Sequence, residues 1–259
     1  MSLAAGKKVA LITGGSQGIG AATARVLACK GYRVAVNYSR NSEKAEALVR
    51  DLGDQNAICI KADASKIPEI ERMVAETVQK YGKIDAVITA AARLGLQELA
   101  DTTEVGFDDL FALNVKGPFF LAQQIAPALR SKADDPKKAI PHMPPGSHIV
   151  MMSSTQCHAS TVTPPYLLYN MTKGAVEQMT RVLAKDLGRK GINVNAVAPG
   201  PTATDMFLTG KTPQVLEMLS GLNPHKRTAE PEEIAEVIAF LTEGRWVNGQ
   251  VVRANGGMA

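Results

Sequence analysis

Short apolar runs alternate with helix-period segments along this chain. Val9–Ile12 is continuously apolar and is predicted as a buried strand, and Gly18–Cys29 places Ala, Val and Leu on one helical face. Arg33–Asn37 follows as a strand, Ser42–Leu52 as a helix, Ala57–Ile60 as a strand, Glu69–Lys80 as a helix and Ile84–Ile88 as a strand. Strand–helix–strand order implies right-handed crossovers and a parallel sheet, and strands covered on both faces are expected to be as uniformly apolar as these. In the second half Phe107–Arg130 reads as one long helical stretch holding Asn114 and Gly117. Ile149–Met152 is a predicted strand, Leu167–Leu187 a helix, Asn193–Ala198 a strand and Gln250–Arg253 a last short strand. Pro231–Leu241 is a helix opened by a proline in its first turn. Two stretches break the rhythm. Ser131–Gly146, rich in Pro, Lys and Asp, is expected to be an exposed insertion loop. Thr202–His225 is irregular and follows a strand whose C-terminal end should face a site, so it is either a surface loop or a lid.

An α/β chain of 259 residues commonly folds as one unit, and 45% hydrophobic with 21% charged residues is ordinary for a globular protein. The net charge of +4, with no basic block interleaved with aromatics, argues against nucleic-acid binding. The cysteines are Cys29, Cys59 and Cys157; their odd number and the absence of C-x-x-C spacing argue against a disulfide framework or a zinc site. His142, His148, His158 and His225 form no H-x-x-x-H pair, which excludes a zinc hydrolase of that type. Met1–Lys8 has no apolar stretch of signal-peptide length and no run of about 18 apolar residues occurs, so cytosolic residence without a membrane span is expected.

The first strand runs into Thr13-Gly14-Gly15-Ser16-Gln17-Gly18-Ile19-Gly20 and then a helix. Glycines allow a tight turn and close approach of a pyrophosphate, and the helix N-terminus offers free N–H groups. The second strand ends Asn37-Tyr38-Ser39-Arg40, with no acid where a ribose 2′-hydroxyl would be bound. A guanidinium there welcomes a 2′-phosphate, so NADP(H) is expected in preference to NAD(H). Asp63 is either an acceptor for an adenine amino group or a cap for the next helix.

Tyr169 and Lys173 lie four residues apart on a predicted helix and so share a face. An ammonium close to a phenol is expected to lower its pKa and fit it for proton transfer. Ser154, at the end of a strand, supplies a hydroxyl for a substrate oxygen.

In this order, these motifs resemble the short-chain dehydrogenase/reductase family across Lys7–Gly257, with 3-oxoacyl-[acyl-carrier-protein] reductases as its generic members. The matching residues are the Thr13–Gly20 turn, Asp63, Asn114 in N-V-x-G, Ser154, Tyr169 with Lys173, Pro199–Thr204, and the closing Asn248-Gly249-Gln250 and Asn255-Gly256-Gly257. The resemblance implies a single Rossmann-type doubly wound domain with about seven parallel strands in the order 3-2-1-4-5-6-7. It implies Tyr169 as acid/base, Lys173 holding the nicotinamide ribose and lowering the Tyr169 pKa, and Ser154 orienting the carbonyl. Asn114 would anchor a water in a relay towards Lys173, or close a helix irregularity, or both. The cofactor would contact Gly14, Ser16–Gly20, Asn37–Arg40, Asp63, Ala64 and Ala90–Ala92. Val197, Pro199, Gly200 and Thr202, with Thr204 beyond, would line its nicotinamide side.

Three features depart from that pattern. Thr89-Ala90-Ala91-Ala92 stands where N-N-A-G is usual, removing side-chain amides from the sheet centre. The loop Thr155–Leu168 is long and holds Tyr166, either a substrate contact or a packed ring. Ser131–Gly146 looks inserted. The expected activity is hydride transfer between nicotinamide and a small-molecule ketone or secondary alcohol. Imine reduction by the same residues, or a non-catalytic NADP(H)-binding regulator on the same fold, are the alternatives. A homo-oligomer, dimer or tetramer, is also implied.

Overall fold

Seven strands form one sheet: β1 (Val9–Thr13), β2 (Arg33–Tyr38), β3 (Ala57–Lys61), β4 (Ala86–Thr89), β5 (His148–Met152), β6 (Asn193–Pro199) and β7 (Val251–Ala254). Their order is β3-β2-β1-β4-β5-β6-β7 and every pairing is parallel. The structure, a computed structural model, describes residues 6–126 and 142–259. It is a Rossmann-type α/β domain with helices on both faces of the sheet. Among the described residues no helix is long and apolar enough to cross a membrane.

Side-chain alternation along the strands divides the core in two. On one face Leu11, Ala35, Val87 and Ile149 pack against α3 (Ile67–Tyr81), α5 (Gly117–Ile125) and α6 (Leu167–Gly188), through Met73, Leu121 and Val176 among others. On the other face Ile12, Val36, Ile88 and Val150 pack against α1 (Gly18–Cys29), α2 (Ser42–Leu52) and α9 (Pro231–Leu241), through Leu27, Leu48 and Ile238. Because consecutive residues are both covered, the strands read as runs rather than alternations. Each Leu or Ile so buried contributes about 1.5–3 kcal/mol relative to exposure.

Beyond shifts of one or two residues at element ends, three differences from the sequence reading have a structural reason. The fourth strand starts at Ala86, not Ile84, because the Asp85 carboxylate accepts the Val9 N–H at 2.7 Å and the Lys83 ammonium at 3.0 Å. The stretch read as one helix from Phe107 is α4 (Glu104–Phe111), a π-helical segment (Ala112–Lys116) and α5. Its expected tail beyond residue 126, and most of the expected insertion Ser131–Gly146, lie outside the described residues. The stretch read as irregular, Thr202–His225, contains α7 (Asp205–Leu208) and α8 (Pro213–Gly221), each opened by a threonine hydroxyl that accepts a backbone N–H.

Parallel strands bring all seven C-terminal ends to one edge of the sheet. Strand order reverses between β1 and β4, and a crevice at such a switch point is where this architecture takes ligands.

Candidate active site

The phosphate end grows from the exit of β1. Gly14 (φ 62°) and Gly18 (φ 53°) adopt left-handed backbone that side chains disfavour. A Cβ on Gly14 would lie 2.8 Å from the Ala91 backbone, so the turn rests directly on the exit of β4. The Thr13 hydroxyl accepts the Ala91 N–H at 3.2 Å, which satisfies the backbone where the usual amides are missing. The N-cap of α1, Gln17, makes no side-chain cap bond, and the first turn holds no acid. Its N–H groups are therefore available to an anion. A cleft of about 330 Å³ lies against this terminus, lined by Ser16, Gln17, Gly18, Lys44, Thr204 and Asp205 among others. Glycine cradle, uncapped helix end and cleft together fit the diphosphate of a dinucleotide. Ile19 packs against the core cluster behind the turn.

At the end of β2 the Asn37 side chain faces inward. Its Oδ1 accepts the Gly14 N–H at 3.2 Å, and its Nδ2 donates to the carbonyls of Ala62 at 2.9 Å and Ile60 at 3.3 Å. The Asn37 carbonyl also accepts the Gly15 N–H at 2.9 Å. Read from the sequence as a cofactor contact, this amide instead ties the glycine turn to the exit of β3. Tyr38 is half-buried; Ser39 and Arg40 are exposed, and Arg40 makes no hydrogen bond or salt bridge among the described residues. Burial pushes the Asp63 carboxyl up, but two hydrogen bonds from Ser65 and the Lys66 and Arg40 charges outweigh it and hold the group below its ordinary value. Both Ser65 bonds fall on Oδ1, at 2.9 and 2.7 Å. Ala64 is buried and its carbonyl abuts Gly117, where a Cβ would sit only 2.2 Å away.

The chemical end is built by β5 and α6. Lys173 Nζ donates to the Met152 carbonyl at 2.8 Å and lies 5.5 Å from the Tyr169 ring centroid. Ser154 follows β5 and lies beside the Tyr169 phenol, whose ionised form it favours. Tyr166 packs edge-on to Tyr169 with centroids 6.3 Å apart, so it is at least a packed ring. Asn114 sits in the π-helical segment, a kind of irregularity frequent at functional sites. It accepts the Arg93 N–H at 3.0 Å and donates to the Arg93 carbonyl at 3.0 Å and to the Thr172 hydroxyl at 3.1 Å. It thus joins the exit of β4 to the helix of Tyr169. Pro199 and Gly200 leave β6, Thr202 donates to the Gly200 carbonyl at 2.9 Å, and Thr204 caps α7.

The expected effect of Lys173 on Tyr169 is overturned in this structure. Burial pushes the Tyr169 phenol up to about 12, against the lowering effect of Ser154. Burial likewise pushes the Lys173 ammonium down to about 8. The ammonium is bonded to Met152 and lies towards the ring, so desolvation dominates both groups. Stability should register this. From pH 8 to 10 an unfolded Lys173 keeps a proton that the folded one has released, so stability rises with pH. Above pH 10 Tyr169 acts oppositely, because the folded phenol stays protonated after the unfolded one ionises. Urea melts should show wild type gaining about 2 kcal/mol on Lys173→Met between pH 8 and 10. Parallel pH dependences in the two proteins would place the Lys173 pKa near its ordinary value.

The sequence reading missed a polar network beside the pair. The Ser153 hydroxyl donates to Glu177 Oε1 at 2.6 Å, and His158 Nε2 lies 3.0 Å from the same oxygen. Asn170 Nδ2 donates to the Gln156 carbonyl at 3.0 Å. These bonds fix the strand exit that presents Ser154. The readable signal was spacing: Glu177 is one further turn along the face of Tyr169 and Lys173.

The family model described as short chain dehydrogenase matches residues 8–213. Short-chain dehydrogenase/reductase GME11373 of Pestalotiopsis microspora is 38% identical over 265 residues, spanning 96% of this chain and 94% of that protein. Hydroxynaphthalene reductase-like protein Arp2 of Metarhizium acridum is 36% identical, spanning 96% of this chain and 94% of its own. A short chain dehydrogenase from Burkholderia cenocepacia, solved in complex with NADP, superposes with a TM-score of 0.85 at 30% identity over 97% of each chain. The likeness to 3-oxoacyl-[acyl-carrier-protein] reductases narrows no further than this family. The chain belongs to the short-chain dehydrogenase/reductase family and is an NAD(P)-dependent oxidoreductase.

Proposed function

We propose that this protein uses NADPH to reduce a ketone to a secondary alcohol. The observation that carries the reading is the buried group Ser154, Tyr169 and Lys173, gathered at the same sheet edge as the phosphate turn. An exposed Arg40 outside any salt bridge among the described residues, and no acid at the end of β2, support a 2′-phosphorylated cofactor; the Burkholderia relative holds NADP.

The bound nicotinamide would supply the hydride. Tyr169, protonated at neutral pH because burial raises its pKa, donates its phenolic proton to the carbonyl oxygen as negative charge develops there. Ser154 hydrogen-bonds that oxygen and orients the carbonyl. Lys173, still charged at neutral pH, supplies positive charge beside the phenolate that remains and a donor for a ribose hydroxyl. Asn114 holds the two elements that enclose this group.

For the substrate we infer a ketone carrying hydroxyl groups on an aromatic framework. Gln156 Oε1 and Asn170 Oδ1, flanking Ser154 and Tyr169 in sequence, are buried without a hydrogen-bond partner among the described residues. Unpaired buried acceptors favour a ligand that brings donors. The name of the Metarhizium relative points the same way. A homo-oligomer belongs to this reading as well: Phe119, Met171, Val182, Phe240 and Trp246 are exposed apolar area that a second copy would cover.

The test is absorbance loss at the nicotinamide band over a panel of aliphatic and hydroxyaromatic ketones, with NADPH and NADH. Turnover with NADPH at least about tenfold above NADH in kcat/KM, greatest on the hydroxyaromatic members, is expected. Tight NADPH binding with no turnover on any ketone would instead favour the regulator.

A further inference from the structure

One ammonium ties three parts of the phosphate end together. Lys44 lies in the first turn of α2, where its N–H is capped by the Asn41 side chain at 3.1 Å. Its Nζ donates to Asp205 Oδ2 at 2.9 Å and to Gln17 Oε1 at 3.4 Å. Gln17 is the N-cap of α1, and Asp205 opens α7 in the segment after β6. All three side chains line the cleft of about 330 Å³.

The charges around the cleft make Asp205 an odd neighbour for a phosphate. Arg25 also lines it but is paired with Asp51 at 3.1 Å, and Glu232 adds a second acid from α9. Lys44 is the cation at the cleft whose partner is itself a cleft acid. That pair is open to water, with 48% and 67% of its side chains exposed, and exposed ion pairs are held weakly. A phosphate monoester, carrying close to two charges and three acceptor oxygens, competes well against one solvated carboxylate.

We propose that Lys44 is a second cation reading the 2′-phosphate, alongside Arg40, and that Asp205 is its internal competitor. With no ligand, Asp205 neutralises Lys44 and braces α7 against α2. A 2′-phosphate arriving between Gln17 and the β2–α2 turn takes over the ammonium and frees Asp205. Cofactor loading is thereby linked to release of the segment Thr202–His225 at its first helix. The inference rests on the NADP(H) reading above.

The experiment measures dissociation constants of the purified full-length protein for NADPH, NADH and 2′,5′-ADP. Wild type comes first: binding NADH as tightly as NADPH and ignoring 2′,5′-ADP would sink the NADP(H) reading and this one with it. Given that preference, Lys44→Met should weaken NADPH and 2′,5′-ADP about tenfold and NADH less than about twofold, with Lys44→Arg restoring most of the loss. Asp205→Asn should tighten NADPH about threefold and leave NADH unchanged. Equal loss of NADPH and NADH in Lys44→Met, or Asp205→Asn weakening NADPH as Lys44→Met does, would reduce Lys44 to a structural brace and overturn the proposal. Both side chains are exposed, so the variants should fold; a thermal melt of each checks this.

Discussion

Tyr169→Phe should leave a folded, cofactor-binding protein with kcat for ketone reduction lowered by about 10³-fold or more. The ring keeps its place, since its edge-on contact with Tyr166 needs no hydroxyl. What disappears is the proton donor beside Ser154. Removal of a buried hydroxyl whose partner can turn to another acceptor costs about 1 kcal/mol of stability at most. Steady-state kinetics, a thermal melt and an NADPH titration on one preparation separate these quantities. A variant retaining more than about a tenth of wild-type kcat would mean that another group, or water, delivers the proton.

Gly20→Ala should be the most damaging single methyl in the phosphate turn. In an ordinary helix this exchange is favourable by about 1 kcal/mol. Here the new Cβ would stand 2.3 Å from the Gly14 carbonyl oxygen and 3.0 Å from the Gly15 Cα, both backbone atoms that cannot rotate away. Relief requires moving the turn off the helix, which also spoils the cradle. A loss of about 3 kcal/mol or more in urea unfolding is expected, together with loss of cofactor binding. Gly174→Ala is the control: beyond its chain neighbours and its own helix backbone, no atom of the described residues lies within 4 Å of the point where its new methyl would stand, so the helix should gain about 0.5–1 kcal/mol. If both variants melt alike, the tight contact at Gly20 is not what holds the turn.

The parts of the fold visible in the sequence were those where one physical rule acts alone. A doubly covered strand such as β1 must be almost wholly apolar, and its run Val9–Ile12 read correctly. The π-helical segment at Ala112–Lys116 did not show, because one wide turn leaves the apolar spacing of Phe107–Ile125 almost intact. The helices at Asp205 and Pro213 were hidden by the Gly and Pro between them, although Thr204 and Thr212 were legible caps. Tyr169 and Lys173 could be found from spacing, but not the direction of their pKa shifts. Those depend on which way the ammonium points and how little water reaches it. Asn37 shows the same limit, since an amide looks identical in sequence whether it faces a ligand or the backbone groups of its own fold.

That placement of Asn37 bears on how this enzyme's cofactor choice could be changed. An acid near the end of the second strand is the usual route to NADH; placed at position 37, it would replace a residue that donates to the Ile60 and Ala62 carbonyls. An aspartate would keep an acceptor for Gly14, lose both donors and set a negative charge against two carbonyl oxygens. Redesign is therefore steered away from position 37 and onto the exposed residues after it, where a side chain can be exchanged without unfastening the turn from the sheet.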